Sequence, residues 1–287
     1  MPAVEPLTAA QLTASAVLLG SVLALWTTFE WWAAATVAAV AAGYLSGTMH
    51  GPGGLWLLLL ASQAWQLRRS TGWIRASWIG AIAILGLLLG LHVLPGFSNP
   101  LVVRDAVLAT GALPYSQYVN FDKTLGGTLL LGCSGWAAMR HSASWTAALR
   151  RAAPVTLVTG AVVMAASLAL RFVAFEPRWT PLFWTWAAVN LLTTCVSEEA
   201  FFRGLVQTEL RRALHGRTAA TVAIGISALL FGLAHMAGGW RYAMLAALAG
   251  TGYGLVYERT SRLEMSILTH ITVNAVHFLL FTYPALR

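Results

Sequence analysis

Ser197-Glu198-Glu199-Ala200-Phe201-Phe202-Arg203 closes an almost uncharged run that begins at Pro181, and the reading of this stretch decides the fold. A helix continuous from that run carries both carboxylates within a bilayer or at its edge. On insertion scales an ionisable side chain there costs roughly 2.5–3.5 kcal/mol. At helical spacing Glu199 and Arg203 are four residues apart and can pair, which offsets part of the cost for both. Glu198 points about 100° away around the helix and is left unpartnered by this arithmetic. A spare intramembrane carboxylate marks a functional site by default; the bland alternative is a pair of glutamates at a water-exposed helix end.

Composition places the rest of the chain in the same medium. Of 287 residues, 58% are hydrophobic and 10% charged, with a mean hydropathy of +0.69, whereas soluble domains carry about 25% charged residues. The net charge of +8 would point to nucleic acid in a soluble protein. Here the basic residues are almost all arginines scattered between apolar runs, where they orient a membrane protein, so no nucleic-acid partner is expected. Cys133 and Cys195 fall inside apolar segments and read as two buried thiols rather than a disulfide framework. The first basic residue is Arg68, so the positive region of a secretory signal peptide is missing.

Crossing a core of ~30 Å takes about 20 apolar residues per helix, and by that measure the chain holds up to ten candidate spans. They are Leu12–Phe29, Trp31–Leu45, Leu55–Leu67, Trp78–Val93, Thr124–Met139, Pro154–Phe175, Leu182 through the acid pair to about Leu214, Ala219–Met236, Tyr242–Tyr257 and Met265–Tyr283. The second and third are short enough to be tilted, interfacial or re-entrant. The expected fold is all-α, a polytopic integral membrane helix bundle of about eight to ten transmembrane helices. A polar connection from Pro95 to Lys123 separates residues 1–110, read as accessory helices, from residues 111–287, read as the core. Asp122 is expected to cap the helix that follows it. If successive spans alternate, one face receives Arg68, Arg69, Arg75, Arg140, Arg150, Arg151, Arg211, Arg212, Arg217, Arg259 and Arg262. That face is expected to be cytoplasmic, with both termini on the other side.

Two later clusters are as unwelcome in lipid as the acid pair. Phe231-Gly232-Leu233-Ala234-His235 ends one span, and His270-Ile271-Thr272-Val273-Asn274 sits in the last, with His277 continuing the same stripe. A lone histidine on an apolar helix is more often structural; several beside a carboxylate shift the balance. Glu198 lies eighteen residues before the turn near Gly216 and His235 nineteen after it, so an antiparallel hairpin brings them to one height. His270 and Asn274 stand about 14 and 20 Å along the last helix from its own turn near Ser261, so a shared pocket is within reach. Such a pocket suits water attack on an amide. A carboxylate beside an imidazole can take a proton from water, and histidine and asparagine donors can stabilise the oxyanion.

These residues resemble a known family. Glu198-Glu199 with Arg203-Gly204, Phe231 with His235, and His270 with Asn274 are similar to the three motifs of the CPBP family, the Rce1-like CAAX prenyl proteases and bacteriocin-processing enzymes. The match covers roughly Leu182 to Tyr283. The resemblance implies an intramembrane glutamic endopeptidase in which Glu198, helped by His235, activates water. His270 and Asn274 would form the oxyanion site, with Glu199 and Arg203 in support; His277 lies outside the usual pattern. Zinc on a glutamate and two histidines is a possible alternative. Because there is no His-Glu-x-x-His helix, no metal or other cofactor is expected. The expected partner is a membrane-associated or membrane-entering peptide or protein, met in the bilayer. The composition leans to a prokaryotic cytoplasmic membrane. A noncatalytic peptide-binding or immunity protein, or a small proton-coupled transporter, would use the same polar residues differently.

Overall fold

A computed structural model describes residues 3–134 and 144–287. Each of the ten apolar stretches forms a helix: α1 (Ala9–Thr27), α2 (Trp32–Leu45), α3 (Gly53–Leu67), α4 (Gly72–Gly90), α5 (Phe121–Ser134), α6 (Trp145–Ala169), α7 (residues 182–213), α8 (Ala219–Ala234), α9 (Trp240–Thr260) and α10 (Leu263–Leu280). Among the described residues four of them, α1, α4, α6 and α10, are long and apolar enough to cross a membrane, and α8 is a shorter apolar helix. Val37, Leu58, Ile84, Leu157 and Trp184 stand exposed on outer faces. In water that surface would be a liability, whereas lipid accepts it. The chain is an all-helical integral membrane bundle.

Local chemistry sets the helix boundaries. Thr8 caps α1 in a reciprocal box with Gln11. Ser144 caps α6 at Ala147, so this helix starts nine residues before the expected Pro154 and carries that proline inside it. Asp122 does not cap α5. The helix begins at Phe121, whose N–H donates to the Asn99 side chain, and Asp122 sits in the first turn bound to His92 and Asn99. The expected end of this span near Met139, like Arg140, falls outside the described residues.

The polar connection is partly ordered as strand, which the sequence reading missed. β1 (Ala3–Val4), β2 (Leu101–Ala106) and β3 (Tyr115–Tyr118) form a small antiparallel sheet in the order β1-β2-β3, with Val4 opposite Val103 and Leu101 opposite Tyr118. The last residues join the same end of the bundle, where the N–H groups of Leu113 and Arg287 donate to the carbonyls of Ala285 and Gly111. At the other end Arg75 pairs with Glu209 at 2.8 Å, Arg212 shares that acid, and Arg211 pairs with Glu258 at 3.1 Å. These pairs gather the turns before α4 and after α7 and α9 into one basic face.

The largest core cluster joins Leu60 of α3 and Ile82 and Leu89 of α4 to Leu125 of α5 and Leu205 of α7. The front helices therefore pack directly against the helix that bears the acid pair. Gly127 makes the closest approach: a Cβ there would stand 2.7 Å from the Ser197 Cα. Of the two cysteines only Cys195 is buried; Cys133 is half-buried, because its part of α5 lies near the edge of the bundle.

Helix α7 departs from a regular α-helix. Asn190–Cys195 and Ala200–Gln207 are wound as π-helix on either side of the α-helical turn Val196–Glu199. Wider turns leave carbonyls to be satisfied from outside the regular ladder. The hydroxyl of Thr208 donates to the Arg203 carbonyl at 2.8 Å, and that of Ser227 on α8 to the Phe202 carbonyl at 2.8 Å.

Candidate active site

Glu199 and Arg203 meet as their spacing requires, at 3.1 Å, and both are fully buried. Arg203 also donates to the Gly250 carbonyl at 2.7 Å and lies over the rings of Phe231 (4.9 Å) and Tyr253 (5.3 Å). Buried charge survives when paired and hydrogen-bonded on every side, and here the aromatic faces complete the shell. The second oxygen of Glu199 accepts from the Ser266 hydroxyl.

Glu198 is not left unpartnered. Its Oε1 is ion-paired with Lys123 Nζ at 2.5 Å, an interaction between residues 75 apart in the chain. Helical arithmetic treats neighbours on one helix and is blind to a cation brought by α5. A signal was nevertheless present, because Lys123 is the only lysine among 18 basic residues. The other oxygen, Oε2, is buried without a hydrogen-bond partner among the described residues.

His270 stands between the two acids. Its Nδ1 lies 2.8 Å from Glu199 Oε1, while Nε2 is 3.8 Å from Glu198 Oε2, too long for a direct hydrogen bond. Tyr253 stacks on the imidazole at 4.5 Å and fixes its plane. His235, at the C-terminal end of α8, lies with Nδ1 2.7 Å from the Phe231 carbonyl. A carbonyl only accepts, so Nδ1 carries the proton and a neutral His235 turns a basic Nε2 outward. Asn274 donates through Nδ2 to Asn190 Oδ1 at 3.0 Å, which leaves its second N–H free. Asn190, the one amide in the run before the acids, is a further residue the sequence reading passed over. His277 is occupied by the Thr282 carbonyl at 3.2 Å and packs on Tyr283.

Two cavities meet at these residues. The larger, about 440 Å³, is lined by Glu198, His235, His270, Asn274, His277, Asn190 and Tyr253, and is roofed by Tyr115, Tyr283 and Pro284. Tyr115 and Tyr283 meet edge to face at 4.9 Å, and the Tyr283 hydroxyl accepts from Trp186. Burial pushes the Tyr115 phenol well above its ordinary range, so the roof is neutral at any physiological pH. The smaller cavity, about 230 Å³, lies on the other side of Glu198 and His235 between α3, α4, α5 and α7. All four residues read as catalytic in the sequence therefore border the larger cavity, and Glu198 and His235 border both.

Fold and site together define a helical membrane protein with an acid, imidazole and amide cluster buried among its later helices. Compared with known families, residues 179–276 match the one described as type II CAAX prenyl endopeptidase Rce1-like, the stretch that holds Glu198, Glu199, Arg203, His235, His270 and Asn274. The Rce1-like resemblance holds over that stretch and suggests a membrane endopeptidase. No curated protein and no solved structure matches the chain.

Proposed function

We propose that the protein is an intramembrane endopeptidase of glutamic type that hydrolyses a peptide bond near the membrane in a peptide or protein substrate. One observation carries this reading: Glu198 Oε2 is buried, unpartnered, and borders a polar cavity together with His235, His270 and Asn274. A water held on that oxygen gives up a proton to Glu198 as its oxygen bonds to the scissile carbonyl carbon. His235 Nε2 supports the transfer as an acceptor. The carbonyl oxygen takes up negative charge facing His270 and the free N–H of Asn274. Glu198 then returns the proton to the leaving nitrogen as the C–N bond breaks. Lys123 holds the carboxylate in place, and Glu199 with Arg203 and Ser266 positions His270 from behind.

Residues 111–287 carry this chemistry, and the helices within 1–110 are accessory. The reaction is assigned without a metal. Glu198 already faces a cation in Lys123, and among the described residues no group of three or more His, Cys, Asp and Glu side chains is arranged to hold an ion. By the positive-inside rule the basic face is cytoplasmic, and the setting fits a prokaryotic inner membrane. The decisive test is Glu198→Gln in purified protein reconstituted with membrane peptides. Loss of cleavage with an unchanged fold is the expected result; full activity would defeat the assignment.

A further inference from the structure

The smaller cavity has no part in the chemistry just described, yet it opens on the same carboxylate. Its walls come from Leu60, Leu87, Gly90 and Leu91 of the front helices and from Gly126 and Leu130 of α5. None of these residues lies in the family-matched stretch. At its neck stand Lys123, Glu198 and Ser197. The Ser197 side chain is 5% exposed and its Oγ has no hydrogen-bond partner among the described residues. A buried hydroxyl without a partner is costly, and a substrate group that meets it recovers the loss.

We infer that this cavity is a specificity subsite that receives one large apolar side chain of the substrate, next to the scissile bond, while Ser197 Oγ hydrogen-bonds the substrate backbone beside it. The inference rests on the endopeptidase reading and extends it to substrate choice. At about 230 Å³ the space is smaller than the ~300–1,000 Å³ of whole-ligand sites, and suits a side chain of leucine, methionine or phenylalanine class. Beyond the neck the wall is apolar, so a charged side chain would be stripped of water with nothing to replace it.

Gly90 gives a clean probe. A Cβ at this position meets nothing within 4 Å, so Gly90→Leu adds a side chain to open space without displacing a neighbour. Gly80, on the same helix, is exposed and equally unobstructed, and Gly80→Leu serves as the control. The test is cleavage of a membrane-peptide library by reconstituted wild type and variants, with kcat/KM read for each residue flanking the cut. Wild type should favour large apolar residues at one flanking position. Gly90→Leu should lower kcat/KM for those substrates about 10- to 200-fold relative to alanine or glycine there, and Gly80→Leu should keep the wild-type preference. Leu87→Ala, which widens the cavity, should move the preference toward still larger residues. Ser197→Ala should raise KM by about 5- to 10-fold whatever the side chain. If wild type cleaves and both cavity variants keep its preference, the inference falls while the endopeptidase reading stands. Loss of a co-purified lipid from Gly90→Leu with unchanged preference would mark a lipid site and overturn it equally. If wild type cleaves nothing, both readings fall together.

Discussion

Replacing Arg203 with methionine would strip a buried carboxylate of its cation. Glu199 and Arg203 are both inaccessible to solvent, and the guanidinium donates to Glu199 at 3.1 Å and to the Gly250 carbonyl at 2.7 Å. Methionine keeps an unbranched apolar stem beside Phe231 and Tyr253 but supplies neither donor. Removing one partner of a buried ion pair costs about 3–5 kcal/mol, and an orphaned carbonyl about 1–3 kcal/mol more. Ser266 and His270 remain on Glu199 and moderate the first figure, so a net loss of about 4 kcal/mol is expected. Equilibrium unfolding in mixed micelles, followed by tryptophan fluorescence, reads this directly. The double change Glu199→Gln with Arg203→Met removes the stranded charge and should be more stable than Arg203→Met alone by about 1 kcal/mol or more. A single variant within about 1 kcal/mol of wild type, or strictly additive losses in the double, would refute the claim that this pair is a desolvated unit.

Two further outcomes follow from contacts that α5 makes with the acid helix. Lys123→Met should cut kcat by about 100-fold with little change in KM, because the general base loses the group that fixes its position; Lys123→Arg should recover part of the rate, and single-turnover cleavage in liposomes measures both. Gly127→Ala should destabilise the bundle by about 1–3 kcal/mol in the same micelle titration, since its methyl would meet the Ser197 backbone at 2.7 Å and force α5 away.

The helices were legible because lipid imposes a simple rule, and each apolar stretch found in the sequence is a helix. Pairing within one helix was equally legible, since Glu199 and Arg203 need only their spacing to meet. Contacts between distant elements were not. Lys123 belongs to a helix 75 residues before Glu198, and no periodicity connects them. Nor could the sheet be foreseen: β1 has two residues, and β2 finds it only across four intervening helices. The amide of Asn190 reaches Asn274 across 84 residues and shows as a single polar residue in an apolar run. Asp122 had a cap's position but is drawn inward by His92, whose ring nitrogen lies 2.8 Å from its carboxylate.

The two widened turns of α7 carry a liability for engineering and for chance mutation alike. Each holds surplus residues that a plain α-helix would not need. Trimming one residue from Asn190–Cys195 would let that segment tighten, and everything after it would swing by about 100° relative to what comes before. Both acids would then turn away from lysine and imidazole while the hydropathy of the segment barely changed. A frame-preserving deletion could thus silence the protein while leaving its insertion into the bilayer untouched.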